Sequence, residues 1–209
     1  MKKKMLIVTG PQGSGNHLFS KILSQHPDVF GWSELQETYW LGHHTEPFAK
    51  YWANPSCLEE FDWSQSNYYV TSISSPFVQE QQAQTPNFKD FVKFAKCYVS
   101  DVHVAVIGRD QNILRVQQER VRGKHTTPTA IDSYQHLFDI GIPYFLSQEL
   151  LYLYKSEYLK RISIDLDWPI LHNDPTIFKL CNQDANSKYV TSVNDHWLDA
   201  EVAKAIACS

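Results

Sequence analysis

"MLIVTGPQGSGNHLFSKIL", Met5 to Leu23, changes its hydrophobic period in the middle. Met5 to Val8 is a short apolar run that ends in turn residues, the pattern of a buried parallel strand. From Gly15 to Ser24 the apolar residues Leu18, Phe19, Ile22 and Leu23 have helical spacing. Between the two lie Gly10, Gly13 and Gly15, which let the chain turn sharply, and Ser14, which adds a hydroxyl donor. In such a strand–turn–helix unit, main-chain N–H groups converge on an anion and the helix contributes the positive end of its dipole. A glycine turn that joins strand to helix without a ligand is the plain alternative.

The rest of the chain continues the alternation. Strands are predicted at Val29–Trp32, Asn67–Ser75, Val102–Gly108 and Ile142–Ser147, each rich in β-branched or aromatic residues. Helical spacing occurs from Phe88 to Ala95, Gln111 to Arg122, Ala130 to Asp139, and over one long amphipathic stretch from Glu149 to Leu166. Gly42–Ala53 reads as helical or irregular, and Pro55–Ser66 as turns. Val78–Asn87 reads as a mobile polar loop, and Leu198–Ala207 as a short helix. Alternating strands and helices predict a three-layer α/β/α domain with a mostly parallel sheet. No repeat or linker divides residues 1–209, so a single domain is expected.

Composition narrows the function classes. The formal net charge is −4, so no global basic field for nucleic acid exists and an anion site must be local. The four cysteines (Cys57, Cys97, Cys181 and Cys208) form no CxxC pair, which disfavours zinc or disulfide redox chemistry and suits free thiols in a reducing compartment. The run after Lys2–Lys4 is too short for a secretory signal, and no stretch approaches the roughly 20 apolar residues of a membrane span. A cytoplasmic location is expected.

Gly10 and Gly15 have the spacing of the Gly-x4-Gly-Lys-Ser/Thr loop of nucleotide triphosphatases, but Asn16 replaces the lysine and His17 the magnesium-binding hydroxyl. Loss of a cation and a metal ligand disfavours a standard Mg²⁺-dependent ATPase or kinase.

Directly after the loop helix, "LSQHPDVFGWSE" (Leu23–Glu34) resembles the sulfotransferase superfamily, in which a Gly/Ser loop and helix precede a His-Pro-Asp-Val-like turn and an acidic residue. "VAVIGRDQNILRVQQERVR", starting at Val104, is similar to that family's strand ending in Arg and opening a helix. "SISSPF" (Ser72–Phe77) sits where the family has its Lys/Ser-Pro or Lys-x-His-x-Pro stretch. The resemblance covers most of the first 125 residues; the tail lacks the family's late Arg-Lys-Gly motif.

The resemblance implies a P-loop nucleoside triphosphate hydrolase-like fold and a sulfuryl donor, 3'-phosphoadenosine-5'-phosphosulfate, used without a metal and leaving adenosine 3',5'-bisphosphate. The loop Gly10, Gln12, Gly13, Ser14, Gly15, Asn16 and His17 would cradle the phosphosulfate. Arg109 would grip the 3'-phosphate, a task suited to a forked guanidinium, with Gln117 eight residues on where the family has Ser. Lys188, with Tyr189, would lie on a closing loop. Arg115, Arg120, Arg122 and Lys124 would enlarge a local positive patch, or form a solvated helix face.

Gly13 and Ser74 stand where the family has basic residues that stabilise charge on the bridging oxygen. One lost donor of that kind costs roughly 3 kcal/mol; His17 or a tail lysine is the available substitute. Sulfuryl transfer also needs a general base. Glu34 stands near the place of the catalytic Glu in one family branch, with His43 and His44 next in "WLGHHTEPF". "HHTE" as a metal site is disfavoured because adjacent histidines do not share a face. Trp32, Tyr39, Trp40 and Trp52 line an acceptor pocket or the core, and His103, His196 and Trp197 read as packing residues.

The acceptor would be a small molecule or carbohydrate bearing a hydroxyl or amine; oligomeric state is open. A P-loop kinase of a small molecule or nucleotide, and a catalytically impaired nucleotide-binding protein of the same fold, are the competing readings.

Overall fold

The computed structural model describes residues 2–32, 42–79 and 82–183. In chain order they form β1 (Lys4–Pro11), α1 (Asn16–Leu23), β2 (Val29–Phe30), α2 (Ala49–Ala53), β3 (Tyr68–Ser75), β4 (Phe77–Gln79), β5 (Gln82–Gln84), α3 (Phe88–Ala95), β6 (Asp101–Gly108), α4 (Gln111–Arg122), α5 (Thr127–Tyr134), β7 (Tyr144–Ser147), α6 (Gln148–Leu166) and α7 (Pro175–Gln183). Short 3-10 turns lie at His43–Thr45, Pro55–Glu60 and Leu137–Asp139.

Five strands form a wholly parallel sheet in the order β2-β3-β1-β6-β7. Successive β1 side chains point to opposite faces, and Met5, Leu6, Ile7 and Val8 are all fully buried. A central parallel strand covered on both sides requires such a continuous apolar run. Leu6 and Val8 join a core with Phe19 and Ile22 of α1, Leu159 and Ile162 of α6, Trp168, and Ile177 of α7. Met5 and Ile7 join a second, aromatic core with Tyr51 and Trp52 of α2, Trp63, Tyr69, and Phe91 of α3. Trp52 stacks on Phe91 with centroids 3.9 Å apart and donates Nε1–H to Thr71 Oγ1. Helices thus pack on both faces of the sheet.

The register decides where the chemistry sits. Gly10 lies beside Ser74 across the β1–β3 ladder, and β6 ends alongside at Gly108 and Arg109. From β1 the chain moves toward β2, whereas from β6 it moves toward β7. The carboxyl ends of β1 and β6 therefore border a topological switch point, where open α/β sheets leave a crevice.

Several local expectations change. Val78–Asn87 is not all loop: β4 and β5 pair as an antiparallel ribbon, pinned by Phe77, which is 3% exposed in the aromatic core. The helix expected over Ala130–Asp139 ends at Tyr134, and a separate turn follows. The long helix is interrupted at Lys155 (φ 42, ψ −112). α7, absent from the expected elements, starts at Pro175 with Asp174 Oδ1 accepting from the Thr176 amide, an Asp-Pro start signal. His103, expected in the core, is one-third exposed near the amino end of β6 and pairs with Asp101 at 2.9 Å. The expected helix at Leu198–Ala207 lies outside the described residues. Among the described residues, no helix is long and apolar enough to cross a membrane, and Cys57 and Cys97 are free thiols.

Trp168 ties the segment after α6 to α1: it is 2% exposed and donates Nε1–H to Leu23 O at 3.1 Å. Trp168→Ala is expected to cost about 3–5 kcal/mol by cavity formation, read as a lower urea midpoint. A loss under 1 kcal/mol would show that this core does not depend on it.

Candidate functional site: a glycine loop and a buried carboxylate

The loop is held from within. Gly13 (φ +88) and Gly15 (φ +109) occupy the left-handed region that glycine adopts without penalty. The Ser14 amide donates to Pro11 O, and the Phe19 amide to Gly15 O begins the helical ladder. Asn16 is 4% exposed and folds back: its Nδ2 donates to Gly10 O at 3.0 Å and to Ser74 Oγ at 2.9 Å, and its Oδ1 accepts from Ser14 Oγ at 3.3 Å. This packing explains Gly10. A Cβ there would overlap Ser14 Oγ and lie 2.7 Å from Asn16 Oδ1.

α4 closes the loop from the other side. Arg109 is 5% exposed; its Nη1 donates to Gly13 O at 2.7 Å and to Gln117 Oε1 at 2.5 Å. The Gln117 carboxamide covers the α-carbon of Gly13 and that of Gln148 covers Gly15. Gln118 Nε2 donates to Gln12 O while its Oε1 accepts from the Thr126 amide, so the loop and the α4–α5 connection are one unit. Arg115, Arg120, Arg122 and Lys124 are exposed.

A second group adjoins this loop. Glu46, just after the His43–Thr45 turn, has 4% of its side chain exposed. Its Oε1 lies 2.9 Å from His17 Nε2 and 3.5 Å from His43 Nδ1, and its Oε2 accepts from Ser72 Oγ at 3.0 Å. Burial alone would raise the carboxyl pKa. Hydrogen bonds from His17 and then His43, with the charges of both imidazoles, outweigh that and hold it at about 2. The His17 ring meets Trp32 edge-on at 5.6 Å, the His43 ring lies 4.9 Å from Phe77, and Lys21 Nζ sits 5.0 Å over Trp32.

The structure therefore brings together Gly10, Gln12, Gly13, Ser14, Gly15, Asn16, His17, Arg109 and Gln117 at one end of the sheet, with His43 beside His17. His44 is kept apart, its ring against Gly42. Trp32 borders the site and Trp52 is core. Glu34, Tyr39, Trp40, Lys188, Tyr189, His196 and Trp197 lie outside the described residues. Sequence reasoning missed Glu46, Ser72, Gln118 and Gln148. For Glu46 a signal existed in "HHTE": His43 and Glu46 are three residues apart and face each other across one turn. Among the described residues no cluster of His, Cys, Asp or Glu is arranged to hold a metal. Compared with protein-family models and with curated protein sequences, the chain matches none of either.

The carboxylate predicts an acid dependence. Glu46 has a folded pKa of about 2 against 4.5 unfolded, so its contribution is complete above pH 4.5 and is lost as pH falls through 2. At about 1.4 kcal/mol per unit this is about 3 kcal/mol. Glu46→Gln is expected to be less stable than wild type by that order at pH 7, the gap closing toward pH 2 in denaturant titrations. A gap independent of pH would show that the carboxylate is not charged in the folded protein.

Proposed function

We propose that this protein is a metal-independent sulfotransferase-like enzyme on a three-layer, P-loop nucleoside triphosphate hydrolase-like fold. It takes 3'-phosphoadenosine-5'-phosphosulfate as donor and a hydroxyl- or amine-bearing small molecule or carbohydrate as acceptor. One observation carries the reading: Arg109 and Gln117, eight residues apart, close together on Gly13 of the loop at the β1/β6 crevice. A guanidinium and a carboxamide donor beside an anion loop match a ligand with two separated anionic groups.

The charge balance of the loop supports the same reading. A triphosphate with magnesium draws on a loop lysine and a hydroxyl ligand. In this loop the lysine position is Asn16, turned inward to Gly10 and Ser74 and carrying no charge. A phosphosulfate, with less charge, suits main-chain amides, the α1 dipole and one guanidinium. The kinase reading lacks this support. The binding-only reading draws on Ser74, whose hydroxyl is already engaged by Asn16 where a cation would serve catalysis.

Calorimetry in the presence of a chelator tests this. Adenosine 3',5'-bisphosphate is expected to bind without divalent ions. Arg109→Ala is expected to weaken it about 100-fold, the scale of a lost charged hydrogen-bond pair, while adenosine binding changes little. An equal loss for both ligands would reject the phosphate role of Arg109, and ATP binding only with Mg²⁺ would favour the kinase.

A further inference from the structure

We propose that two copies of this chain form a two-fold dimer in which their β7 strands pair antiparallel, joining the sheets edge to edge. The inference goes beyond the catalytic reading and does not depend on it. It starts from where apolar surface is left uncovered. Among the described residues thirteen large apolar side chains stand exposed, and seven of them fall within the seventeen residues from Phe138 to Tyr154. That stretch leads into β7, forms it and continues into the first turns of α6.

The sheet itself ends here. β7 pairs with β6 on one side and, among the described residues, with no strand on the other. Edge strands are ordinarily blunted by charge, by proline within the strand or by being very short. The opposite edge follows that rule, since β2 has two residues. β7 does not: from Ile140 to Gln148 the chain carries no charged residue, and Pro143 precedes the strand. The register sets Phe145 beside Val106, on the face of the aromatic core, whereas Leu146 turns to the opposite core. Phe145 nevertheless remains 63% exposed.

α6 adds the second half of the surface. Leu151, Leu159, Ile162 and Leu166 form its buried stripe, and in an unbroken helix Lys155 would fall on the same stripe. The helix breaks instead at Lys155, and Tyr152, Leu153 and Tyr154 just before it are exposed. Backbone strain of this kind costs about 1–3 kcal/mol and persists only where the surroundings over-determine it. A second copy pressed against these three side chains supplies that support. Because α6 begins with Gln148, whose carboxamide covers Gly15, the same contact braces one wall of the glycine loop.

Area and symmetry select the occupant. A covered aromatic side chain buries roughly 150–250 Å². Phe138, Phe145, Tyr152 and Tyr154, between 59% and 65% exposed, therefore leave roughly 400–600 Å² to cover. Ile142, Leu150 and Leu153 raise this toward the roughly 800 Å² per partner of a stable interface. A free strand edge flanked by apolar side chains meets its own complement when a two-fold axis turns one copy onto another, since antiparallel self-pairing is isologous.

Sedimentation velocity across the micromolar range tests this on the full chain. The wild type is expected to dimerise. Phe145→Lys and Leu153→Glu, both at exposed positions, are expected to raise the dimer dissociation constant at least about 10-fold, while Val78→Glu, exposed outside this surface, leaves it unchanged. Circular dichroism and the urea midpoint check that each variant is folded. Hydrogen–deuterium exchange is expected to slow at β7 amides as protein concentration rises. A monomer throughout that range overturns the proposal, and β7 amides protected in that monomer would assign the edge to the chain's own residues after Gln183. A dimer that Phe145→Lys leaves intact, or one whose β7 amides exchange as in the monomer, also overturns it.

Discussion

The site end of the molecule depends on one side-chain amide. Asn16 donates to Gly10 O at the end of β1 and to Ser74 Oγ on β3. This contact exists because the parallel register sets Gly10 directly beside Ser74. It converts a flexible glycine turn into a shaped loop, the kind of preorganisation that would spare a ligand much of the ordering entropy. A lysine at this place would have to reach outward, leaving Gly10 O and Ser74 Oγ without this donor. An asparagine here in place of a lysine therefore has two consequences: the loop carries one cation fewer, and its backbone is tied to β1 and β3.

Charge is scarce and placed accordingly. With a net charge of −4, the chain offers no general attraction for anions. Arg109 is held nearly buried against Gly13 and Gln117, where the surrounding protein screens its field less than water would. Glu46 brings negative charge near the same region, and two imidazoles contact it. A buried carboxylate without such partners would take up a proton instead. The pairing keeps a hydrogen-bond acceptor ionised beside the glycine loop.

Most of the architecture could be read from local pattern. Met5–Val8 and Val104–Ile107 are continuous apolar runs because both faces of their strands are covered, and the period change around the glycines marked the strand–loop–helix unit. The place of Arg109 was legible for the same reason: it ends a buried strand. What escaped was set by tertiary contacts. Phe77 draws an otherwise polar segment into a ribbon, and neither β4 nor β5 has a strand pattern of its own. Glu46 meets His17 across 29 residues and Ser72 across 26, distances over which no periodicity carries information. A polar cluster assembled from three elements becomes visible only once the sheet has fixed their order.

The backbone around Glu46 shows how such a cluster is maintained. Two residues later, Phe48 is in the left-handed region, at φ 63 and ψ 12, a conformation that costs a bulky residue on the order of 1–2 kcal/mol. The turn sends the Glu46 carboxylate toward the sheet's carboxyl edge and the Phe48 ring into the aromatic core. There Phe48 packs against Phe61 at 4.7 Å, Phe30 at 5.6 Å and Trp63 at 5.8 Å. Burying such a ring contributes roughly 1.5–3 kcal/mol, enough to offset the strain. His17, by contrast, belongs to α1, whose apolar side fills the opposite core. The Glu46 carboxylate thus joins elements packed on the two faces of the sheet, at the edge where β1, β3 and β6 end. A shift of either core would open the contact with His17, so the packing that stabilises the fold also sets the geometry of the site.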